Sequence, residues 1–191
     1  VGTREELLNG AKRCLAERGY ARTTVRDIVA VTGANLAAIN YHFGTKDALL
    51  NQALLESASE AVGEILNAVR TDPDPAARLR TFLTALTESF VDKRAMWATN
   101  IEALAQAAHS PDLRTQLAAG QVAARTGLAD MSPTTDRDDE STRAAVGAVH
   151  MTLLSGLLVQ WMVAPDQAPT ADLVIEGLRT LGTTLAKPAA D

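Results

Sequence analysis

The 191-residue sequence predicts an all-α protein. Three observations carry this. Ala (35) and Leu (24) are strong helix formers and supply 59 of the 191 residues. Aromatic residues make up only 4%, which argues against a sandwich or barrel. Apolar residues recur at spacings of three, four and seven along nearly the whole chain, and no stretch alternates with period two. About nine helices result, in one domain or two small ones. The single Cys excludes a disulfide framework and a Cys-based zinc site, and fits a reducing compartment. The net charge of −5, taken alone, argues against a nucleic-acid partner.

The first helix starts at Thr3, which forms a capping-box pattern with Glu6. Leu7, Ala11, Cys14 and Leu15 line its apolar face, with Cys14 read as a small buried hydrophobe, and Gly19 ends it. Thr24 caps a second, short helix with Val25, Ile28 and Val29 inward, broken at Thr32-Gly33-Ala34. Asn35 caps a third short helix carrying Leu36, Ile39 and Phe43, and Thr45 caps a fourth, longer one that Asp72-Pro73-Asp74-Pro75 stops. Long helices follow over about 75–92, 94–109 and from Pro111, then a loop at 132–140 and an uncharged helix over about 141–164. A turn at 164–170 leads to a last helix over 171–186.

Two short helices around a Gly-containing turn are the mark of a helix-turn-helix, and the first helix and the start of the fourth can cover its core, giving a module over 1–47. The second helix of the pair, over about 35–42, would then enter the major groove. Its outward Leu36, Ala37, Asn40 and Tyr41 offer an amide for adenine edges and apolar groups for thymine methyls. Lys46 opposes the dipole of the fourth helix, and phosphate binding at that helix start gives it a reason.

Gly19-Tyr20, Thr23 to Ile28, Thr32 to Asn35 and Ile39 to Leu50 together resemble the N-terminal DNA-binding domain of the TetR family of bacterial transcriptional regulators, in order and without gaps over roughly the first 50 residues. The resemblance implies a three-helix DNA-binding domain over 1–47 and a helical ligand-binding and dimerisation domain over 48–191. It implies DNA contacts at Thr24, Arg26, Asn35, Leu36, Ala37, Ala38, Asn40, Tyr41, His42 and Lys46. Among these, Thr24, Tyr41, His42 and Lys46 fall on backbone-contacting positions, and Ala37, Ala38 and Asn40 near bases. Leu36 departs from the Lys or Arg that many members carry there, which removes one phosphate contact. Asn40 stands where many members have Tyr.

Further along, Ala148, Thr152 and Gly156 recur at i, i+4 and i+8, with Ser155 beside them, so a second helix can approach closely. With Leu178 and Leu181 of the last helix they form the expected homodimer interface. Polar or soft residues set in apolar helices, namely Met96, Trp97, Asn100, His109, Met131, His150 and Trp161, are the candidate walls of a largely apolar effector pocket.

The 22 uncharged positions between Arg143 and Asp166 are long enough to span a bilayer, but His150, Thr152, Ser155, Gln160 and two Gly favour a buried or interfacial helix. The first residues carry neither a basic nor an apolar signal region. His42, His109 and His150 share no ligand spacing, so no metal is expected, and no cofactor or nucleophile motif is present. The reading is a cytoplasmic homodimeric repressor that binds a double-stranded, pseudo-palindromic operator and is released by a small-molecule effector. The alternatives are a helical small-molecule-binding protein or enzyme with a vestigial DNA module, and an interaction scaffold. Residues 1–50 carry seven Lys/Arg against five Asp/Glu, and 51–191 carry 11 against 18, so a +2 module precedes a −7 remainder. The overall acidity therefore does not oppose DNA binding.

Overall fold

The computed structural model describes residues 4–69, 74–131 and 140–186, and among them are nine α-helices and no strand. They are α1 (Arg4–Arg18), α2 (Val25–Thr32), α3 (Leu36–Phe43), α4 (Lys46–Val69), α5 (Pro75–Asp92), α6 (Arg94–Gln106), α7 (Pro111–Ala129), α8 (Glu140–Val163) and α9 (Ala171–Leu185), with a 3-10 turn at Pro165–Gln167 before α9. Side-chain caps set most of the starts. Asp74 Oδ1 accepts from the Ala76 N–H at the start of α5, Ser110 Oγ from Leu113 at α7, and Thr170 Oγ1 from Leu173 at α9. α6 ends at Gln106, three residues earlier than the periodicity indicates. There the Ala108 and His109 N–H groups turn to carbonyls three residues back, which tightens the last turn. The expected cap at Thr3 and most of the expected loop at 132–140 lie outside the described residues.

The chain divides into two compact units, Val1–Gly63 with Asp92–Ala124, and Glu64–Val91 with Arg125–Asp191. The first holds α1 to α3, most of α4, α6 and most of α7. Its core is Leu7, Ala11, Cys14, Ile28, Ile39, Leu49, Leu50, Leu54, Ala103 and Leu113. Each fully buried Leu or Ile there contributes about 1.5–3 kcal/mol of apolar transfer energy. The Cys14 thiol is wholly buried, and burial pushes its pKa up, as its reading as a packing residue requires.

The second unit buries Phe82, Leu83, Leu86 and Phe90 of α5, Leu154, Leu157, Leu158 and Trp161 of α8, and Ile175 of α9. The Phe90 and Trp161 rings meet at 5.8 Å. Among the described residues one helix, α8, is long and apolar enough to cross a membrane. Its Gly147, His150, Leu154, Leu157, Leu158 and Trp161 are buried within this unit, and the rest of the helix is half-buried or exposed.

Candidate nucleic-acid interface

The α2–α3 corner is fixed by local chemistry. Thr24 caps α2 in a full capping box: its Oγ1 accepts from the Asp27 N–H, and the Thr24 N–H donates back to Asp27 Oδ2 at 2.9 Å. The Thr24 hydroxyl also donates to Asp27 Oδ2 at 2.6 Å. These bonds from Thr24, with Arg18 at 3.3 Å, hold the Asp27 carboxyl below the usual carboxylate range. Gly33 closes α2 at φ 68°, and Gly44 closes α3 at φ 77°. Gly33 is left-handed helical, Gly44 is not, and both have a positive φ that side chains with a Cβ disfavour. Between them Asn35 Oδ1 accepts from the Ala38 N–H at 2.9 Å and starts α3. Thr45 Oγ1 accepts from Ala48 and starts α4.

This framing presents one face of α3. Leu36, Ala37, Asn40 and Tyr41 are exposed, Tyr41 to 85%. Exposed Thr24, Arg26 and Asn35 border it. Ala38 departs from the expectation: with Ala34 and Ile39 it is buried in the core of the first unit, so it anchors α3 and offers no surface to a base. His42 is half-buried, its ring edge-on to Tyr41 at 4.9 Å. It also lines a cleft of about 400 Å³ with Phe43, Ala48, Gln52, Leu55, Glu56 and Gln116. Lys46 reaches Asp47 at 3.1 Å and the Thr23 carbonyl at 3.5 Å, with a third of its side chain exposed. An ammonium has three donors, so one remains for a phosphate. The Thr24 proton is engaged with Asp27 and must turn away to meet one.

Sequence reasoning missed how α6 grips this module. Glu102 accepts the Tyr20 N–H on one carboxylate oxygen at 2.8 Å and the Ala21 N–H on the other at 2.9 Å. Three residues earlier, Thr99 Oγ1 donates within hydrogen-bond range of the Leu15 carbonyl (3.1 Å) and the Ala95 carbonyl (2.9 Å). The end of α1 and the turn after it are thereby tied to one face of α6. Nothing near Glu102 in the sequence signals a clamp on residues some eighty positions earlier. On the other side Tyr20 donates its hydroxyl to the buried Asn51. Burial, and then the charge of Asp47, push the Tyr20 phenol up to about 12, so it stays a donor.

The expected pocket residues divide between the units. Trp97 is buried, and half-buried Met96 and Asn100 share α6 with the clamp, the Asn100 amide donating to the Met96 carbonyl at 3.2 Å. His109 departs from the expectation, because the turn after α6 carries it onto the surface. In the second unit Met131, His150 and Trp161 are buried. The His150 Nδ1–H donates to the Leu128 carbonyl at 2.9 Å, and burial lowers its pKa from 6.5. No group of three His, Cys, Asp or Glu that can hold a metal occurs among the described residues.

Thr152 and Ser155 of the expected dimer stripe are exposed, and Ala148 and Gly156 are half-buried. Val149, Val159 and Val163 are exposed on the same helix. On α9, Leu173, Leu181 and Leu185 are exposed and Leu178 half-buried. The second unit thus leaves a small-and-aliphatic face of two helices uncovered.

Residues 7–53 match the sequence profile of bacterial regulatory proteins of the tetR family, and residues 75–186 match that of the BetI-type transcriptional repressor C-terminal domain. The chain is 38% identical over 82 residues to the HTH-type transcriptional repressor AcnR of Corynebacterium efficiens, a stretch covering 39% of this chain and 44% of that protein. The chain thus spans under half the length of such curated relatives. Among solved structures, it superposes on the multidrug binding protein EbrR, solved with imidazole, with TM-score 0.66 and 25% identity over 98% of this chain and 92% of that one. It also superposes on a transcriptional regulator of Streptomyces coelicolor A3(2), with TM-score 0.71 and 21% identity over 94% and 98%.

Proposed function

Since the chain belongs to the TetR family of bacterial regulatory proteins, we propose that it is a cytoplasmic, homodimeric repressor of transcription that a small molecule releases from its operator. The observation that carries this is the exposed face of α3, held between two capped turns beside a partly free Lys46. α3 enters the major groove, with Asn40 reading adenine edges and Ala37 and Leu36 meeting thymine methyls. Tyr41, His42, Arg26, Thr24 and Lys46 meet phosphates and fix the register without reading sequence. Two copies, joined through α8 and α9, present two such helices to half-sites about 34–36 Å apart. A +2 module binds weakly alone, so affinity depends on both copies engaging together.

Release follows from α6. Met96, Trp97 and Asn100 lie on the helix that carries Thr99 and Glu102. An effector that prefers one position of α6 shifts the Glu102–Tyr20–Ala21 clamp, and with it the spacing of the two α3 helices. EbrR, named for multidrug binding, supports an effector of this kind.

The test is selection of protein-bound fragments from random DNA, followed by anisotropy titration of a winner across a salt series. The expected result is a two-fold-related motif bound cooperatively by dimers. Binding of every fragment with equal affinity would overturn the reading.

A further inference from the structure

Arg78 stands apart from the other cations among the described residues. It is 8% exposed, and its Nε and one terminal nitrogen, Nη2, are buried without a hydrogen-bond partner. It is the one Lys or Arg among the described buried residues. A guanidinium taken out of water with donors unmet is costly, so such a group is kept where an anion completes it. The two bare donors are informative in themselves. Nε–H and Nη2–H lie on the same edge of the planar guanidinium and point the same way, at the spacing of two oxygens on one carbon or phosphorus.

The neighbourhood narrows the anion. Arg78 is the fourth residue of α5, and Phe82, Leu86 and Phe90 follow it at i+4, i+8 and i+12, all essentially fully buried. One face of α5 therefore starts with a cation and continues as an apolar stripe about 18 Å long. A single buried cation balances one negative charge, whereas a phosphate monoester carries about −1.5 to −2 at neutral pH.

We propose that Arg78 is the anchor of the effector site, and that the effector is a small organic acid held by its carboxylate on the Nε–Nη2 edge. This rests on the effector-released reading above and adds a charged anchor, in the second unit, to the largely apolar pocket expected from the sequence.

The experiment compares the full chain with R78M and R78K by thermal unfolding, adding benzoate, benzamide, inorganic phosphate or sodium chloride. Without additive, R78M melts higher than the parent, because an orphaned buried charge is gone. Benzoate at a hundred times its Kd raises the parent by about 5–10 °C, and benzamide does not. R78M shows no benzoate shift, and R78K, which keeps the charge but loses the edge, binds benzoate about tenfold more weakly. A lower melting point for R78M together with no benzoate shift in the parent overturns the proposal, since Arg78 is then held by a carboxylate of the protein. A larger shift with phosphate overturns the choice of acid. A parallel titration on a selected DNA fragment separates the two readings. DNA binding without any benzoate effect sinks this proposal alone, and benzoate binding through Arg78 without DNA binding sinks the repressor reading alone.

Discussion

Replacing Glu102 with Ala removes a carboxylate that accepts two consecutive backbone N–H groups, from Tyr20 at 2.8 Å and Ala21 at 2.9 Å. A hydrogen bond to a charged group is worth about 1.5–3 kcal/mol. The Ala21 bond is exposed and is discounted for solvent screening, so the pair is worth roughly 2–3 kcal/mol. For a chain of this length about 1 kcal/mol shifts the melting point by 2–4 °C, so Glu102→Ala lowers it by about 4–12 °C. Glu102→Gln keeps one acceptor and sets its NH2 against the other N–H, so it falls between the variant and the parent. Calorimetry reads the melting shift, and hydrogen exchange reads the site: the amides of residues 20 and 21 lose protection in Glu102→Ala, while those inside α3 change less. Because the clamp ties the recognition module to α6, operator affinity falls as well. A shift under about 1 °C with unchanged exchange at the two amides would refute the clamp, and with it the proposed route from effector to DNA.

Other consequences are as direct. Lys46→Ala weakens binding to all DNA sequences and flattens the salt slope by about one unit in a titration from low to high salt, and an unchanged slope removes Lys46 from the phosphate contacts. Asn40→Ala changes which sequences are selected, by about 1–3 kcal/mol at one base pair, whereas equal loss on every sequence contradicts a base-reading role. His150 is buried with a lowered pKa, so the unfolded chain binds its proton more readily than the folded one. Its contribution to stability is complete above pH 6.5 and declines as pH falls from there toward the folded value. Melting curves from pH 8 to 5 for the parent and His150→Asn test this, and parallel pH dependences would assign the effect elsewhere.

What the sequence made legible was what its neighbours along the chain determine. Thr24, Asn35 and Thr45 cap helices because each has its N–H partner three residues ahead, and Gly33 and Gly44 close them through conformations that glycine favours. The corner between α2 and α3 is built from such contacts, so it was readable before any tertiary packing was known. Ala38 was not, because alanine fits either face of a helix and only the packed core decides which. Glu102 was out of reach for another reason. Its partners lie 82 and 81 residues away, and a lone acidic residue within a helix gives no sign of them. His109 failed on a boundary: three residues of early termination turned a presumed wall of α6 into surface. Local chemistry thus specified the α2–α3 corner, while long-range packing placed Ala38 and Glu102.

The two central glycines of α8 separate packing within a subunit from packing between subunits. A Cβ at Gly147 would sit 2.2 Å from the Arg125 carbonyl oxygen and 3.2 Å from the Ala129 Cβ. A backbone carbonyl cannot turn aside as a side chain can, so Gly147→Ala costs about 1–3 kcal/mol by forcing α8 from its neighbour. At Gly156 a Cβ meets nothing within 4 Å, so within one subunit Gly156→Ala gains the helix preference of Ala over Gly, about 0.5–1 kcal/mol. If a second copy packs against the Ala148, Thr152 and Gly156 stripe, the same methyl enters a contact between two helix backbones and weakens it. The two effects have opposite signs and scale differently with concentration, since only association responds to dilution. Sedimentation over a wide concentration range is expected to show Gly156→Ala dissociating at higher concentration than the parent, and Gly156→Leu more so. Under dilute conditions, where both are monomeric, Gly156→Ala melts higher than the parent. A Gly156→Leu protein that dimerises as tightly as the parent would place the interface elsewhere than on this face of α8.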